Sequence, residues 1–422
     1  MRWLYSLLLY LLTPLVFVRL WQRGRKSPAY RERWGERFGH IAPLPQAPRI
    51  WLHAVSVGEA IAAAPLVRSL LETYPDHAIL ITSTTPTGSA QVRRLFGDRV
   101  EHCYLPYDLP HVLKRFLNRI RPQILIVMET ELWPNLYAAC HARAIPLLVV
   151  NARLSERSFK GYHKIRALIR PALQVAEVLA QTEADAERFL KLGAPFDQVQ
   201  VVGNLKFDQE TPEGVLAQGQ ALRDQLGRQR KIWVAASTHA GEDEPVLQAH
   251  RQLLEREQDA LLILVPRHPE RFDDVATLVT SMGFISQRRS SDESVNPVIQ
   301  VFVGDTLGEM MVFFAASDIA FIGGSLIETG GHNPLEPAAL ALPVITGPHW
   351  FNFSGIYPEL LEFGAAREVD GPGELSQVLQ EWFANDELRQ DAGQAALSIV
   401  ERNRGALKLT QDRIARTISD QV

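Results

Sequence analysis

Cysteine is almost absent from this chain. Only Cys103 and Cys140 occur among 422 residues. Both sit in apolar surroundings at no metal-ligand spacing, which argues against a disulfide framework and fits a reducing compartment. An excess of one charge sign is also lacking. Lys and Arg number 44 against 48 Asp and Glu, a net charge of -4. The chain as a whole is therefore no polyanion binder, and no nucleic-acid partner is expected. There is no low-complexity tract and no short-period repeat. No His/Cys/Asp/Glu cluster has the spacing of a metal site: His239, His268, His332 and His349 are scattered on separate expected loops. Neither a metal nor another cofactor is expected.

Long apolar runs are nearly absent too, with one exception. Residues 3–21, W-L-Y-S-L-L-L-Y-L-L-T-P-L-V-F-V-R-L-W, are about long enough to span a bilayer or to lie deep in one face of it. Trp3 and Trp21 bracket the run as interfacial anchors do, and Pro14 interrupts it. Arg19, Arg23, Arg25, Lys26, Arg31, Arg33 and Arg37 follow, against Glu32 and Glu36, a local charge of +5. A cleaved signal peptide would carry its positive charge before the apolar core and small residues after it. The pattern predicts an uncleaved N-terminal anchor at residues 1–22. The bulk of the protein is then cytoplasmic, and the basic flank 19–37 lies against anionic head groups of an inner membrane. A buried hydrophobic helix is the alternative.

Beyond the anchor, short apolar runs alternate with amphipathic stretches. Ile50–Ala54, Ala78–Ser83, Ile124–Met128, Pro146–Val150, Val178–Gln181 and Val199–Gly203 read as buried parallel strands. Residues 60–74, 109–120 and 184–192 read as helices between them. The tract 207–230 is polar and broken by Pro and Gly. The alternation then restarts at Ile232–Ser237, Leu261–Val265, Val298–Phe302, Ile319–Gly323 and Pro343–Thr346. This predicts an α/β fold of two Rossmann-like, doubly wound domains facing a cleft. The expected boundaries are 23–206 for an acceptor-binding domain, 207–230 for a linker and 231–422 for a nucleotide-sugar-binding domain.

The richest stretch is G-G-S-L-I-E-T-G-G-H-N-P-L-E-P-A, residues 323–338. Four glycines separate a buried strand from Asn333-Pro334-Leu335-Glu336. Asn at an N-cap, Pro at the first helical position and Glu at the third signal a helix start. A glycine-rich loop feeding a helix N-terminus offers free N–H groups and a helix dipole to an anion, so a nucleotide or phosphorylated sugar is expected here. A plain strand–helix turn needs fewer glycines.

Other strand-end segments carry polar chemistry. His53-Ala-Val-Ser-Val-Gly-Glu59 puts Glu59 at the carboxyl end of the first strand, where a carboxylate can deprotonate a hydroxyl. Ser56 and Glu59 also have capping-box spacing, which makes a purely structural role an equal contender. Glu129 and Glu131 follow another buried strand in M-E-T-E-L-W-P-N, and could orient an acceptor or tune the charge near Glu59. Lys206, in G-N-L-K-F-D, could stabilise charge on a departing phosphate. Ser237-Thr238-His239 follows the first strand of the second domain. After the next strand, Arg267 and His268 can donate to a phosphate or a carboxylate. Gly308-Glu309-Met310 precedes a helix expected at 309–316 and offers backbone groups.

These segments, with N-A-R-L-S at 151–155, P-R-H-P and the anchor with its basic flank, resemble the 3-deoxy-D-manno-octulosonic acid (Kdo) transferases over nearly the full length. The resemblance implies an inverting, metal-independent GT-B glycosyltransferase of lipopolysaccharide biosynthesis. CMP-Kdo would be its donor and lipid IVA its acceptor. By motif, Glu59 resembles the general base on the acceptor hydroxyl, and Glu129 and Lys206 resemble residues that assist the transition state. Arg267, His268, Gly308, Glu309, Met310, Asn333, Pro334, Leu335 and Glu336 resemble the CMP-binding set. A nucleotide-sugar 2-epimerase-like enzyme shares the layout but has no need of an anchor. A non-catalytic nucleotide-sugar sensor would not need Glu59, Glu129 and Lys206 together.

Overall fold

The structure is a computed structural model describing residues 1–208, 211–291 and 294–420. The Lys26 side chain in the basic flank, residues 209–210 of the expected linker, and residues 292–293 and 421–422 lie outside the described residues. The chain forms two compact units, one of Met1–Asp208 with Arg404–Val422 and one of Gln209–Asn403.

The first unit holds a parallel sheet of β1 (Arg49–His53), β2 (Ala78–Ser83), β3 (Glu101–Tyr104), β4 (Ile124–Met128), β5 (Leu147–Ala152), β6 (Glu177–Ala180) and β7 (Val199–Val201). Their order is β3-β2-β1-β4-β5-β6-β7. β1 and β4 are neighbours, paired at Ile50–Ile124 through His53–Val127. The chain direction across the sheet reverses between them. That reversal defines a topological switch point, beside whose carboxyl ends open α/β sheets bind ligands. Helices on the two faces bury separate cores, one around Trp51, Phe116 and Tyr137, the other around Ile50, Leu66 and Ile126.

The second unit repeats the plan with β8 (Ile232–Thr238), β9 (Leu261–Pro266), β10 (Ser286–Arg288), β11 (Val301–Val303), β12 (Ile319–Ile322), β13 (Val344–Thr346) and β14 (Ala366–Glu368). The order is β10-β11-β9-β8-β12-β13-β14, all parallel, with the switch between β8 and β12. Continuous apolar runs such as Leu261–Val265 form central strands because both faces are covered. The strands at three sheet edges, β3, β10 and β14, carry polar residues at half-buried or exposed positions, and apolar runs do not reveal them.

Two boundaries differ from expectation. Residues Val215–Leu226 of the expected linker form a helix of the second unit. Gly219, read from sequence as an interruption, is where this helix approaches its neighbour: a Cβ there would lie 2.3 Å from that of Ala315. Arg223 pairs with Asp318 at 3.0 Å. The last helix, Ala406–Ser419, belongs to the first unit, not to the domain expected at 231–422. Asp208 accepts from the amides of Gly405 and Leu407 at 2.7 and 2.9 Å, and Ile414 and Ile418 enter the first unit's core.

The N-terminal helix spans Arg2–Lys26 and, by length and composition, could cross a membrane. Trp3, Leu7, Leu8, Leu11, Leu15 and Trp21 are exposed. Ser6 bonds Asn135 at 3.1 Å, Tyr10 bonds His111 at 2.7 Å and Phe17 stacks on Phe38, tying one side of the helix to the first unit.

Candidate functional site

In the first unit Glu59 and Glu129 follow the two strands that flank the switch point, and Lys206 follows β7. Glu59 lies in the helix Val57–Ala62 that follows β1. Ser56 caps this helix, accepting from the Glu59 amide, while the Glu59 carboxylate accepts from the Val55 amide at 2.8 Å and the Ser56 hydroxyl at 3.1 Å. The capping role is therefore real. Burial nonetheless pushes the Glu59 carboxyl up to about 7, opposed by the bond from Val55 and reinforced by the charges of Glu129 and Glu131.

Glu129 follows β4 directly with φ +55°, a conformation that turns the chain out of the sheet at once. Its amide bonds the Val150 carbonyl at 2.9 Å. Two residues on, Glu131 is likewise raised to about 7, by burial first and then by Glu129. Its charge also acts on Glu59, in line with the second of the two roles expected for this acid, tuning the charge near Glu59. Lys206 sits in the short 3₁₀ turn Leu205–Asp208 after β7. Burial lowers its pKa, the charge of Glu129 opposes this, and Arg153 adds to it.

Asn151, quoted within N-A-R-L-S but given no role of its own from the sequence, connects these parts. It is the penultimate residue of β5, at φ +55°, and is fully buried. Its Oδ1 accepts from the Leu205 amide at 3.0 Å, which holds the Lys206 turn, and its backbone carbonyl accepts from Gln181. Its Nδ2 has no protein partner among the described residues. An Asn at the end of a strand tolerates the left-handed conformation, and this was the available signal.

In the second unit the structure corrects two expectations. The first concerns the glycine-rich loop, expected to present free amides to an anion. Buried Glu242 already occupies it. One carboxylate oxygen accepts from the His239 and Gly324 amides at 2.9 and 2.6 Å, the other from Ser325 and Leu326 at 3.0 and 2.9 Å. The following helix covers only Leu335–Ala338, with Pro334 at its cap, so Glu336 is its second residue rather than its third. Asn333 Oδ1 accepts from the Leu335 amide, and its Nδ2 donates to Glu336 at 3.1 Å. Burial raises the Glu336 carboxyl, opposed by Asn333 and by the charge of Arg267.

The second correction concerns the histidines expected on scattered loops. His239 and His332 stack at 5.1 Å with Nε2 atoms 2.8 Å apart, and the His268 ring stands edge-on to His239 at 5.3 Å. Only His349 of the four stands outside these contacts. Among the described residues no group of His, Cys, Asp and Glu is arranged to hold a metal ion. Arg267 and His268 are exposed beside β8, the Arg267 amide bonding the Thr238 carbonyl at 2.9 Å. Gly308 is left-handed at φ +87°, and Glu309 caps the helix Met310–Ala315. The Glu309 carboxylate is engaged by Arg289 at 2.7 Å and by the Thr306 hydroxyl, which leaves backbone groups as what this turn offers. Leu335 is buried, so it too can meet a ligand only through its backbone.

Two parallel, doubly wound units after an apolar N-terminal helix define a GT-B fold. The same fold occurs in the UDP-GlcNAc 2-epimerase of Neisseria meningitidis bound to UDP-GlcNAc, at 15% identity and a TM-score of 0.58 over 87% of this chain and 100% of that one. A family model described as 3-deoxy-D-manno-octulosonic-acid transferase (kdotransferase) matches residues 32–209. The 3-deoxy-D-manno-octulosonic acid transferase of Haemophilus influenzae is 44% identical over 415 residues, 97% of either chain. The Bordetella pertussis protein of that name is 39% identical over 431 residues, 98% of either chain. This chain belongs to the 3-deoxy-D-manno-octulosonic acid transferase family.

Proposed function

We propose that this protein transfers Kdo from CMP-Kdo to lipid IVA in lipopolysaccharide biosynthesis, with inversion and without a metal. The observation that carries the reading is Glu59: a carboxyl fixed at the carboxyl end of β1, beside the switch point, with its pKa at about 7. A base is most useful when its pKa lies near the working pH. Glu59 takes the proton of an acceptor hydroxyl, whose oxygen attacks the anomeric carbon of Kdo from the face opposite CMP. The C–O bond to the CMP phosphate breaks, and the phosphate leaves with the bonding pair. Glu129 and Lys206 assist this transition state, the lysine by meeting negative charge as it develops. Arg267, His268, the segment Gly308–Met310 and the segment Asn333–Glu336 hold CMP.

The anchor and basic flank suit an acceptor that carries acyl chains and phosphates. Residues 1–22 hold the protein on the inner membrane with both α/β units on the cytoplasmic side. The deciding experiment supplies CMP-Kdo generated in situ and lipid IVA in detergent micelles, with mass detection of the product. Lipid IVA that gains Kdo with wild type and not with Glu59→Gln supports donor, acceptor and base together. No product from folded protein that still binds CMP rejects the acceptor.

A further inference from the structure

The nucleotide-binding end of the second unit faces a shortage of donors. Its glycine loop is the usual place for backbone amides to receive an anion. Here Gly324, Ser325 and Leu326 all donate to Glu242 instead. A phosphate at the carboxyl ends of β8 and β12 therefore does not receive these three amides, and the side chains beside them become candidates.

Side chains are present there. His239 follows β8 directly, and His332 lies in the loop after β12, so the two strands at the sheet's reversal each deliver one imidazole. Their Nε2 atoms are 2.8 Å apart. Gly324 leaves them room, for a Cβ at that residue would lie 3.1 Å from His332 Cδ2. His268 abuts His239, and the charges of Arg267 and His268 act on both rings of the pair.

We propose that His239 and His332, with Arg267 and His268, receive the phosphate of the nucleotide donor and take up one proton when it binds. The inference rests on the reading of Arg267 and His268 as nucleotide-binding residues. It goes beyond that reading in assigning the histidine pair and in predicting a proton.

The chemistry follows from the bond between the rings. In the neutral pair one ring donates through Nε2–H and keeps the lone pair of its Nδ1, while the other ring accepts at Nε2. A proton from solvent adds to the free Nδ1 of the donating ring, and the Nε2–H···Nε2 bond survives. A second proton would set two N–H groups against each other, so the pair holds one. Without ligand that proton is disfavoured. His332 is lowered to about 3, by burial first and then by Arg267, His239 and His268. His239 is lowered by burial, with His268, Arg271 and Arg267 adding to this and Glu242 opposing it. The Glu242 charge is already shared among four amides. The donor's phosphodiester carries one negative charge and free CMP between one and two at neutral pH, and either reverses the balance by pairing with the imidazolium.

Isothermal titration of CMP into the full chain in detergent, at one pH near neutrality in buffers of different ionisation enthalpy, counts the protons. Wild type is expected to take up protons with CMP and none with cytidine, which lacks the phosphate. His332→Asn and His239→Asn are expected to weaken CMP binding by about tenfold, as loss of a charge-assisted bond does, and to abolish the uptake. Loss of the uptake in these variants places the proton on the pair rather than on the phosphate. CMP binding by wild type without proton exchange overturns the inference and leaves the donor reading intact, and no folded variant is needed for that result. Unchanged CMP affinity in both variants has the same meaning. Folded wild type that binds no CMP removes the donor reading and this inference together.

Discussion

Replacing Glu59 with Gln separates its helix cap from its proposed role as base, because each responds to pH differently. In the folded chain burial moves this carboxyl from 4.5 to about 7. Between those values the folded state keeps a proton that the unfolded state has released. The unfolding free energy therefore falls as pH rises through this window, and is level above it. At 1.36 kcal/mol per pKa unit the decline amounts to about 3 kcal/mol. Gln removes that slope. It also halves the acceptor capacity that now serves Val55 and Ser56, at a cost of about 1 kcal/mol. The variant should then be close to wild type near pH 5 and more stable by about 2 kcal/mol at pH 8. With 2–4 °C per kcal/mol for a unit of roughly this size, the difference in melting temperature should grow from near zero to roughly 4–8 °C across that range. Turnover should fall at least about 10²-fold at pH 8. Wild-type kcat/KM should rise with pH up to about 7 and then flatten. Melting curves at five pH values and a Kdo-transfer assay at the same values test both halves. A flat wild-type rate profile from pH 5.5 to 8.5, or near-normal turnover in the variant, leaves Glu59 as a helix cap alone.

Three more outcomes are expected. Lys206→Met should keep the melting temperature within a few degrees and lower kcat by about 10²-fold or more with CMP affinity little changed, since charge stabilisation in the transition state is what it removes; an unchanged kcat places the lysine outside the reaction. Glu242→Gln leaves one acceptor oxygen for the four amides that now share a carboxylate, which should cost about 3 kcal/mol or more and lower the melting temperature by roughly 10 °C, measured by calorimetry; a wild-type melting curve would show that the loop does not depend on this charge. Deleting residues 1–21 should release the protein from vesicles containing anionic lipid while CMP affinity persists, and undiminished flotation with the vesicles would place the membrane contact elsewhere.

Central strands were legible because parallel strands covered on both faces must be apolar throughout, as Ile124–Met128 is. β3 escaped notice because Glu101 and His102 occupy half of a four-residue edge strand. The positions of Glu59, Glu129 and Lys206 at strand ends could be read from local order alone. Their shared neighbourhood could not, since it depends on β1 lying beside β4. Asn151 shows the same limit, for its partner amide is on Leu205, far along the chain. The glycine loop was misread for a sharper reason. Sequence shows donors in a row, but not an acid more than eighty positions earlier that folds back to fill them. The same return of the chain joins His239 to His332, which looked unrelated in sequence.

Cap and proposed base are compatible roles for Glu59, and the geometry gives a reason for one carboxyl to serve both. A general base must present an oxygen in a fixed place, and a loosely held carboxylate at the end of a strand would sample many rotamers. The amide of Val55 and the hydroxyl of Ser56 fix both oxygens where β1 ends. Such bonds favour the ionised form and alone would lower the pKa, leaving a weak base. Burial against the sheet and the charges of Glu129 and Glu131 act in the opposite direction and outweigh them. The capping box thus gives the carboxyl its position, and the surrounding acids and the buried setting give it its basicity. Removing Glu129 alone should lower the Glu59 midpoint without moving its oxygens, so a Glu129→Gln rate profile shifted to lower pH would separate tuning from positioning.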